Sequence, residues 1–201
     1  MRIEIIVFDG FDELDAFGPF EVLAQTELDI ALVTVDRPRS IVSQLGLQLN
    51  ISESLGEPDA IIVPGGGWLN RAEQGSWAEV QRGELPAALR THADRTQWIA
   101  SVCTGALVLA ESGLLHGRFA TTNRNAFDEL RPFVRDVLSE RVVEDGRRIT
   151  AGGLTAGIDL GLWIIERTLG TARADQRAAE IEYQRHGRTW FAPARADASA
   201  E

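Results

Sequence analysis

Apolar residues follow two alternating patterns along this chain. Short continuous apolar runs, typical of buried parallel strands, cover residues 3–8, 29–35, 59–63 and 97–102. Longer runs with helical character cover residues 12–23, 78–93, 105–115, 123–137, 155–169 and 172–184. Such alternation predicts one α/β domain over residues 1–190, in which helices cover both faces of a mostly parallel sheet. The Ala-rich, polar residues 191–201 are expected to form a flexible tail.

Turn residues refine this prediction. We expect one hairpin around Gln44–Gly46 and a second at Asp145-Gly146, where Asp-Gly stands between two apolar runs. Gly18-Pro19 interrupts the first helix, so we expect a kink or a restart there, with Pro19 in a first helical turn. Pro86 marks a possible break in the helix over residues 78–93.

One strand-to-helix corner contains the only cysteine of the chain. The sequence Ser101-Val102-Cys103-Thr104-Gly105 follows an apolar run and precedes a Leu-rich segment with helix character. Its spacing imitates the G-x-S-x-G nucleophile elbow, with Cys in place of Ser. Such a corner lifts its central residue out of the sheet and directs free helix N–H groups at the reacting atom. The alternative is a buried structural thiol.

Two other segments are candidates for the same site. The strand over residues 59–63 ends in Pro64-Gly65-Gly66-Gly67, and glycines there allow a close approach between the backbone and a ligand. The alternative is an ordinary turn. Asp9 or Asp12 is expected to cap the first helix. Asp15 lies among Leu14, Ala16 and Phe17, which indicates either a functional carboxyl or a second helix cap. Neither G-x-G-x-x-G nor a P-loop is present, so we expect no cofactor and no metal.

Composition narrows the function classes. The hydrophobic fraction of 44% supports a sizeable core, and the net charge of −10 argues against binding to nucleic acids or to anionic membranes. All 20 basic residues are Arg, which excludes Schiff-base chemistry on lysine. A single cysteine permits no internal disulfide and favours a reducing compartment. No signal peptide or membrane-length apolar run is visible, so we expect a cytoplasmic protein that acts on a small molecule.

Five motifs occur in an order that carries a family resemblance. They are Leu14-Asp15-x-x-Gly18-Pro19, Val63-Pro64-Gly65-Gly66, Ser101–Ala106, Gly113–Thr122 and Gly152–Asp159. Together they resemble the ThiJ/PfpI family of the class I glutamine-amidotransferase-like superfamily, and within it the isocyanide hydratases and the sensor domains of AraC-type regulators. The resemblance covers about residues 2–170 and implies a flavodoxin-like α/β sandwich and a homodimer.

The resemblance also implies roles for individual residues. Cys103 matches the family nucleophile, Asp15 the carboxylic acid that meets its sulfur, and Thr104 the residue after the nucleophile. The backbone amides of Gly66 and Thr104 match the oxyanion pocket. The remaining expected pocket residues are Gly65, Gly67, Leu154, Thr155 and Trp68, for which an ordinary core or interface role is the alternative.

Two departures from the family pattern concern histidine. Protease and glutaminase branches have His directly after the nucleophile, where this chain has Thr104. The hydratases usually have His after the Ala-Thr-Thr strand, where this chain has Asn123. A Cys–His pair is therefore not expected, which argues against peptidase or amidase chemistry.

These residues predict addition of water to an electrophilic carbon. A helix N-terminus is expected to lower the pKa of Cys103, while a half-buried Asp15 beside the sulfur should keep its proton. Hydration of an isocyanide to an N-substituted formamide, through a Cys103 thioimidate with Asp15 as proton donor, fits this pair. The alternatives are a redox-sensing cysteine protein, a glyoxalase or deglycase, and a non-catalytic binder of small molecules.

Overall fold

The apolar runs form the strands of a central sheet in this computed structural model, which describes residues 1–187 and 189–193. The strands are β1 (Arg2–Ile6), β2 (Asp29–Val33), β3 (Arg39–Val42), β4 (Gln48–Ile51), β5 (Ala60–Val63), β6 (Trp98–Val102), β7 (Phe119–Ala120), β8 (Asp136–Val137), β9 (Val142–Asp145), β10 (Arg148–Ala151) and β11 (Trp190–Phe191). The helices are α1 (Glu13–Ala24), α2 (Ser76–Arg82), α3 (Glu84–His92), α4 (Gly105–Glu111), α5 (Phe127–Leu130), α6 (Ala156–Leu169) and α7 (Thr171–Glu180).

The central sheet has the strand order β11-β9-β10-β6-β5-β1-β2. All pairs from β10 to β2 are parallel, and only β9 runs antiparallel to its neighbour β10. The predicted mostly parallel sheet is therefore confirmed. The two remaining strand pairs, β3–β4 and β7–β8, form small separate sheets.

Helices cover both faces of this sheet. The chain passes from β1 through α1 to β2 in one direction, and from β5 through α2 and α3 to β6 in the other. Because such crossovers are right-handed, α1 lies on the face opposite α2 and α3. The later helices join these two layers, since α6 packs against α1 and α7 while α4 packs against α2 and α3. The arrangement is the predicted flavodoxin-like sandwich.

The carboxyl ends of β1, β5 and β6 meet where the direction of the crossovers reverses. Open α/β sheets bind their ligands at such a switch point. The loops that follow these strands hold residues 9–12, residues 64–67 and Cys103. The topology therefore gathers the three candidate segments at one edge.

Close packing of α1 against α6 fixes the position of Asp15. A Cβ atom on Gly157 would lie 2.9 Å from the Pro19 side chain, and one on Gly161 would lie 2.8 Å from that of Val22. Both distances are shorter than real Cβ contacts, so only glycine permits this approach. The two glycines of α6 thereby set the depth at which α1 sits.

Neither expected helix break falls at its proline. Of the kink or restart expected at Gly18-Pro19, the restart is wrong, because α1 continues through Pro19 from its N-cap Asp12. The ring of Pro19 packs on Gly157, and this contact compensates for the hydrogen bond that proline cannot donate. The break in the next helical segment falls at Gly83 (φ 82°) rather than at Pro86, because Pro86 lies in the first turn of α3, where a missing N–H is tolerated.

Other boundaries differ by a few residues. Helix α4 ends at Glu111, before the predicted Leu115, because Gly113 (φ 77°) closes it and the Leu114 amide donates to Leu109 O at 3.0 Å. The predicted helix over residues 123–137 is reduced to α5, flanked by two 3-10 turns, and Pro132 lies in the second of these turns. The second hairpin turns at residues 146–147, one position later than expected, because Asp145 pairs with Arg148.

Strand β11 was not predicted. Trp190 and Phe191 pair with β9, so the first residue of the predicted tail belongs to the sheet edge. The tail from residue 194 onward lies outside the described residues. Among the described helices, none combines the length and apolar character needed to cross a bilayer.

Candidate active site

Cys103 occupies a strained corner between β6 and α4. Its φ of 55° is unusual for a residue with a side chain. Three hydrogen bonds hold this conformation, since the Cys103 amide donates to the carbonyls of Ala151 (3.1 Å) and Gly152 (2.9 Å) and the Cys103 carbonyl accepts from Thr122 Oγ1 (2.7 Å). The local sequence thus forms a nucleophile elbow, in which strain is maintained by its surroundings.

The elbow lies at the bottom of an open cleft. Cys103 is only 6% exposed, and the cleft above it has a volume of about 270 Å³. Its lining combines backbone, amide, carboxyl and apolar groups, supplied by Asp12, Gln44, Gly66, Gly67, Trp68, Leu69, Asn70, Cys103, Thr104, Asn123 and Leu154. We call this space the Cys103 cleft.

Asp15 approaches the thiol from beneath the cleft. Its side chain is fully buried, and the Cys103 thiol is close enough to the carboxyl to lower the pKa of Asp15. Two backbone amides fix the carboxyl group: Gly65 donates to Oδ2 at 3.0 Å, and Leu154 donates to Oδ1 at 3.2 Å. Leu154 has a φ of 48°, so its loop is bent to present this amide. The structure therefore brings Asp15 to the sulfur.

Burial determines the protonation of this pair. It raises the pKa of Asp15 to about 8, with a further contribution from the charge of Asp12 and opposition from the bound amides and Cys103. Asp15 therefore holds a proton at neutral pH. The expected lowering of the Cys103 pKa is wrong, because burial, together with the charge of Asp15, raises it to about 12. Hydrogen bonds from Asn123 and from the Thr104 amide oppose that rise without overcoming it.

The Thr104 hydroxyl takes part in a hydrogen-bond network with Gly66 and Ser76. The Gly66 amide donates to Thr104 Oγ1 at 3.1 Å, and the hydroxyl oxygen of Ser76 lies 3.3 Å from the same atom. Ser76 donates to the Gly66 carbonyl at 2.7 Å, so its oxygen accepts from Thr104. The Gly66 amide is thus engaged by Thr104, and of the expected oxyanion pair it is the Thr104 amide that forms a hydrogen bond with the sulfur.

Gly65 lies beneath the cleft, where two chain segments touch. A Cβ atom at this position would be 2.4 Å from Thr104 Oγ1 and 2.6 Å from the Thr104 amide nitrogen. A glycine at position 65 therefore allows the end of β5 to contact the elbow. Gly67 does line the cleft, and its amide donates to Gln44 Oε1 at 3.0 Å.

Asn123 is a second side chain next to the sulfur. Its Nδ2 atom donates to Cys103 Sγ at 3.5 Å. Its Oδ1 atom accepts from the Asn125 amide at 3.0 Å, which fixes the orientation of the side-chain amide. An amide stabilises negative charge on sulfur but transfers no proton. The position of the missing family histidine was visible in the sequence, whereas this contact was not.

Trp68 combines the two roles that the sequence left open. It lines the cleft, yet it is only 3% exposed. Its Nε1 donates to Glu129 Oε2 at 2.6 Å, and its ring packs edge-on against Trp77 with centroids 5.3 Å apart. Trp68 is therefore a rigid core residue whose surface forms part of the cleft wall.

Leu154 borders the cleft as expected, but Thr155 does not. The Thr155 hydroxyl accepts a hydrogen bond from Arg141 at 3.1 Å, on the side of the loop that faces Asp159. The one-residue step along the loop reverses the side-chain direction because Leu154 has a positive φ. Thr155 is thus removed from the expected pocket residues.

Several cleft residues were not selected from the sequence. Asp12 was interpreted only as a helix cap, while Gln44 and Asn70 had no signal beyond their polarity. Gln44 reaches the cleft because the β3–β4 hairpin folds over the glycine loop, a contact between distant segments. Within residues 1–187 and 189–193, no group of three or more His, Cys, Asp or Glu side chains is arranged to hold a metal ion.

Known proteins share sequence similarity with this chain. The model of the DJ-1/PfpI family matches residues 1–167. An isonitrile hydratase of Pseudomonas putida is 34% identical over 188 residues, which cover 91% of this chain and 78% of the relative. A deglycase of Thermococcus kodakarensis is 24% identical over 157 residues, which cover 75% of this chain and 89% of that protein.

A solved structure extends the agreement to the whole fold. The crystal structure of a ThiJ/PfpI family protein from Pseudomonas syringae superposes with a TM-score of 0.82 at 27% sequence identity, covering 92% of this chain and 76% of that one. The family match and the hydratase relative both span most of the sequence. The chain therefore belongs to the DJ-1/PfpI family.

Proposed function

We propose that this protein is a cysteine-dependent hydratase that adds water to isocyanides and releases N-substituted formamides. The observation that carries the proposal is the position of the fully buried Asp15 carboxyl, held by the Gly65 and Leu154 amides next to the Cys103 thiol at the base of an open cleft. The similarity to an isonitrile hydratase supports the same chemistry.

In the first step the thiol adds across the terminal carbon of the isocyanide. Sulfur forms a bond to that carbon while the carbon gains a proton, which gives the thioimidate S–CH=N–R. Asp15 donates its proton from one carboxyl oxygen and accepts the thiol proton on the other. The acid is thereby regenerated, and a free thiolate, which the raised pKa of Cys103 disfavours, is not required.

In the second step water resolves the thioimidate. A water molecule adds to the imidate carbon, and its proton reaches the nitrogen through Asp15. The carbon–sulfur bond then breaks, sulfur recovers a proton, and the formamide leaves. The Thr104 amide and Asn123 Nδ2 stabilise the negative charge that develops on sulfur in both steps.

The test is turnover by the purified full-length chain. We expect an aryl or alkyl isocyanide in ¹⁸O-labelled water to give formamide labelled at the formyl oxygen, detected by mass spectrometry. Cys103→Ala should abolish the product while its circular dichroism spectrum stays unchanged. Absence of formamide from several neutral isocyanides, with the folded protein intact, would refute the proposal.

The redox-sensing alternative has less support from this geometry. Peroxide reacts with accessible thiolates, whereas Cys103 is buried and its pKa is raised to about 12. The deglycase alternative has support only from the more distant relative, and the cleft has no histidine among its described lining residues to act as a base.

We further propose that the chain forms a homodimer. Support comes from exposed apolar residues on the β3–β4 hairpin beside the cleft, of which Leu45 is 82% and Leu47 51% exposed. Light scattering should give twice the chain mass of 22.0 kDa, and a monomer at micromolar concentration would contradict this proposal.

A further inference from the structure

The Cys103 cleft has a one-sided charge distribution. Its described lining residues include three side-chain amides, those of Gln44, Asn70 and Asn123, and one carboxyl, that of Asp12. No arginine or histidine is among them. The proposed mechanism uses the thiol, the buried acid and Asn123, and it assigns no role to Asp12.

Asp12 is held at the rim by the start of α1. Its Oδ1 accepts from the Leu14 amide at 3.1 Å, and the Asp15 amide also donates to this carboxyl. Its own amide donates to the Gly65 carbonyl at 2.9 Å, which ties it to the glycine loop. Burial raises the pKa of the Asp12 carboxyl, and these amide donors and the helix N-terminus oppose that rise by stabilising the carboxylate. Asp12 is therefore a fixed carboxylate in the lining that it shares with Cys103.

Two cations close to the cleft are already paired. Arg71, behind Trp68, forms an ion pair with Glu129 at 2.8 Å and stacks over the Trp77 ring at 4.1 Å. Arg39, on the hairpin that supplies Gln44, pairs with Asp9 at 2.6 Å. Because Asp15 and Cys103 are both protonated at neutral pH, a ligand in the cleft meets a net charge of one carboxylate.

We propose that Asp12 makes the Cys103 cleft selective for neutral and cationic ligands and against anionic ones. Asp12 is a specificity-determining residue in this proposal and takes no part in bond making. Its charge already acts on the reacting groups, since it contributes to the raised pKa values of both Asp15 and Cys103.

This selectivity rests on the proposed hydratase function and defines its substrate class. Isocyanides whose substituent is neutral or bears an ammonium group should be accepted, and those that bear a carboxylate should be rejected. A single charge at this range, in a partly hydrated cleft, changes the local concentration of a charged ligand by about threefold. The ratio between a cationic and an anionic ligand of equal size therefore changes by about tenfold.

The first experiment does not depend on catalysis. Methanethiosulfonate reagents place their substituent on a thiol as a mixed disulfide and release methanesulfinate, and Cys103 is the only cysteine. The test compares labelling rates for a methyl, a trimethylammonium-ethyl and a sulfonato-ethyl reagent at pH 6.5, each relative to a small free thiol. Incubation is long, because the buried, protonated Cys103 thiol reacts slowly with all three reagents. The wild type should favour the cationic reagent over the anionic one.

Asp12→Asn removes the charge and keeps a good helix cap, since Asn and Asp are equivalent N-caps. We expect this variant to reduce the cation-to-anion rate ratio by about tenfold. The ratio cancels any change in thiol reactivity, which affects both reagents equally. The matched control is Asp175→Asn, which removes the same charge from an exposed position on α7 and should leave the ratio unchanged.

Three results would overturn the inference. They are equal ratios in the wild type and Asp12→Asn, labelling by the neutral reagent alone, and no labelling by any of the three reagents. A second measurement compares isocyanides with ammonium and carboxylate substituents. Charge-selective labelling without turnover of either compound would retain the selectivity and refute only the hydratase.

Discussion

The two side chains next to the Cys103 sulfur differ in chemistry and in burial. Asp15 is fully buried and bound by two backbone amides, so its geometry is fixed and its pKa is raised to about 8. Asn123 is half-buried, borders the cleft and contacts the sulfur at 3.5 Å. The first side chain moves protons, and the second only stabilises charge.

This difference explains how a thiol with a raised pKa serves as a nucleophile. In many cysteine enzymes a neighbouring histidine removes the proton before attack. Here the residue in that place is an amide, and the proton has to leave through the acid. The pair therefore suits substrates that take up a proton in the same step in which sulfur attacks.

The substitution expected to have the largest effect on this site is Asp15→Asn. An amide in place of the acid transfers no proton, so we expect formamide production to fall by about 10²- to 10⁴-fold. The measurement is the initial rate of product formation under saturating isocyanide.

Glu13→Gln is the matched control for that experiment. Glu13 is a second buried carboxyl in the first turn of α1, but it accepts hydrogen bonds from Ser43 and Leu45 and is not among the described residues that line the cleft. Its activity should stay within about threefold of the wild type. Equal losses in both variants would show that Asp15 acts through the structure of α1 alone.

The buried acid also makes stability depend on pH. The pKa of Asp15 is about 8 when folded, against about 3.9 in an unfolded chain, so the folded state binds the proton more tightly. The stabilisation is fully present below about pH 4 and is lost as the pH rises toward 8. Between these limits the free energy of unfolding should fall by up to about 1.4 kcal/mol per pH unit.

Denaturant unfolding of the wild type and Asp15→Asn at several pH values measures this slope. The difference between the two proteins removes the contributions of all other titrating groups. Parallel curves from pH 4 to pH 8 would mean that Asp15 titrates normally in the folded protein.

Asn123→His tests the second side chain and should have the smallest effect. An imidazolium beside the sulfur favours the thiolate, so the pKa of Cys103 should fall and alkylation by iodoacetamide at pH 6 should accelerate about tenfold. Asn123→Ala, which loses only the N–H to sulfur contact, should change the rate by less than about threefold. A slower reaction in the His variant would show that this side chain is directed away from the thiol.

The order of strands and helices along the chain was predictable, and so was the sharp corner that contains Cys103. Both depend on local sequence patterns. A buried apolar strand followed by Cys-Thr-Gly and a Leu-rich run requires a sharp corner, wherever the rest of the chain lies. Helix boundaries were less accurate. Pro19 is accommodated by a glycine of α6, more than 130 residues away, and no local signal contains that contact.

The active site shows the same difference between local sequence patterns and contacts between distant segments. Asp15 was identified from its apolar neighbours and from the family resemblance, whereas Asp12, three residues earlier, was interpreted as a cap. Both interpretations were incomplete, because burial depends on which loops close over each carboxyl. The Leu154 amide, 139 positions away in the chain, fixes Asp15, while the glycine loop leaves Asp12 open to the cleft.

The sequence by itself determined the α/β sandwich and the cysteine at a strand-to-helix corner, since these follow from periodicity, residue type and spacing. Only the tertiary structure decided the protonation of the pair. The sequence suggested a helix N-terminus that activates the thiol, but α4 has only seven residues and the thiol lies in a buried site with two nearby carboxyls. Desolvation outweighs the helix dipole there, because removing a charge from water costs more than the partial charge of one helix end returns.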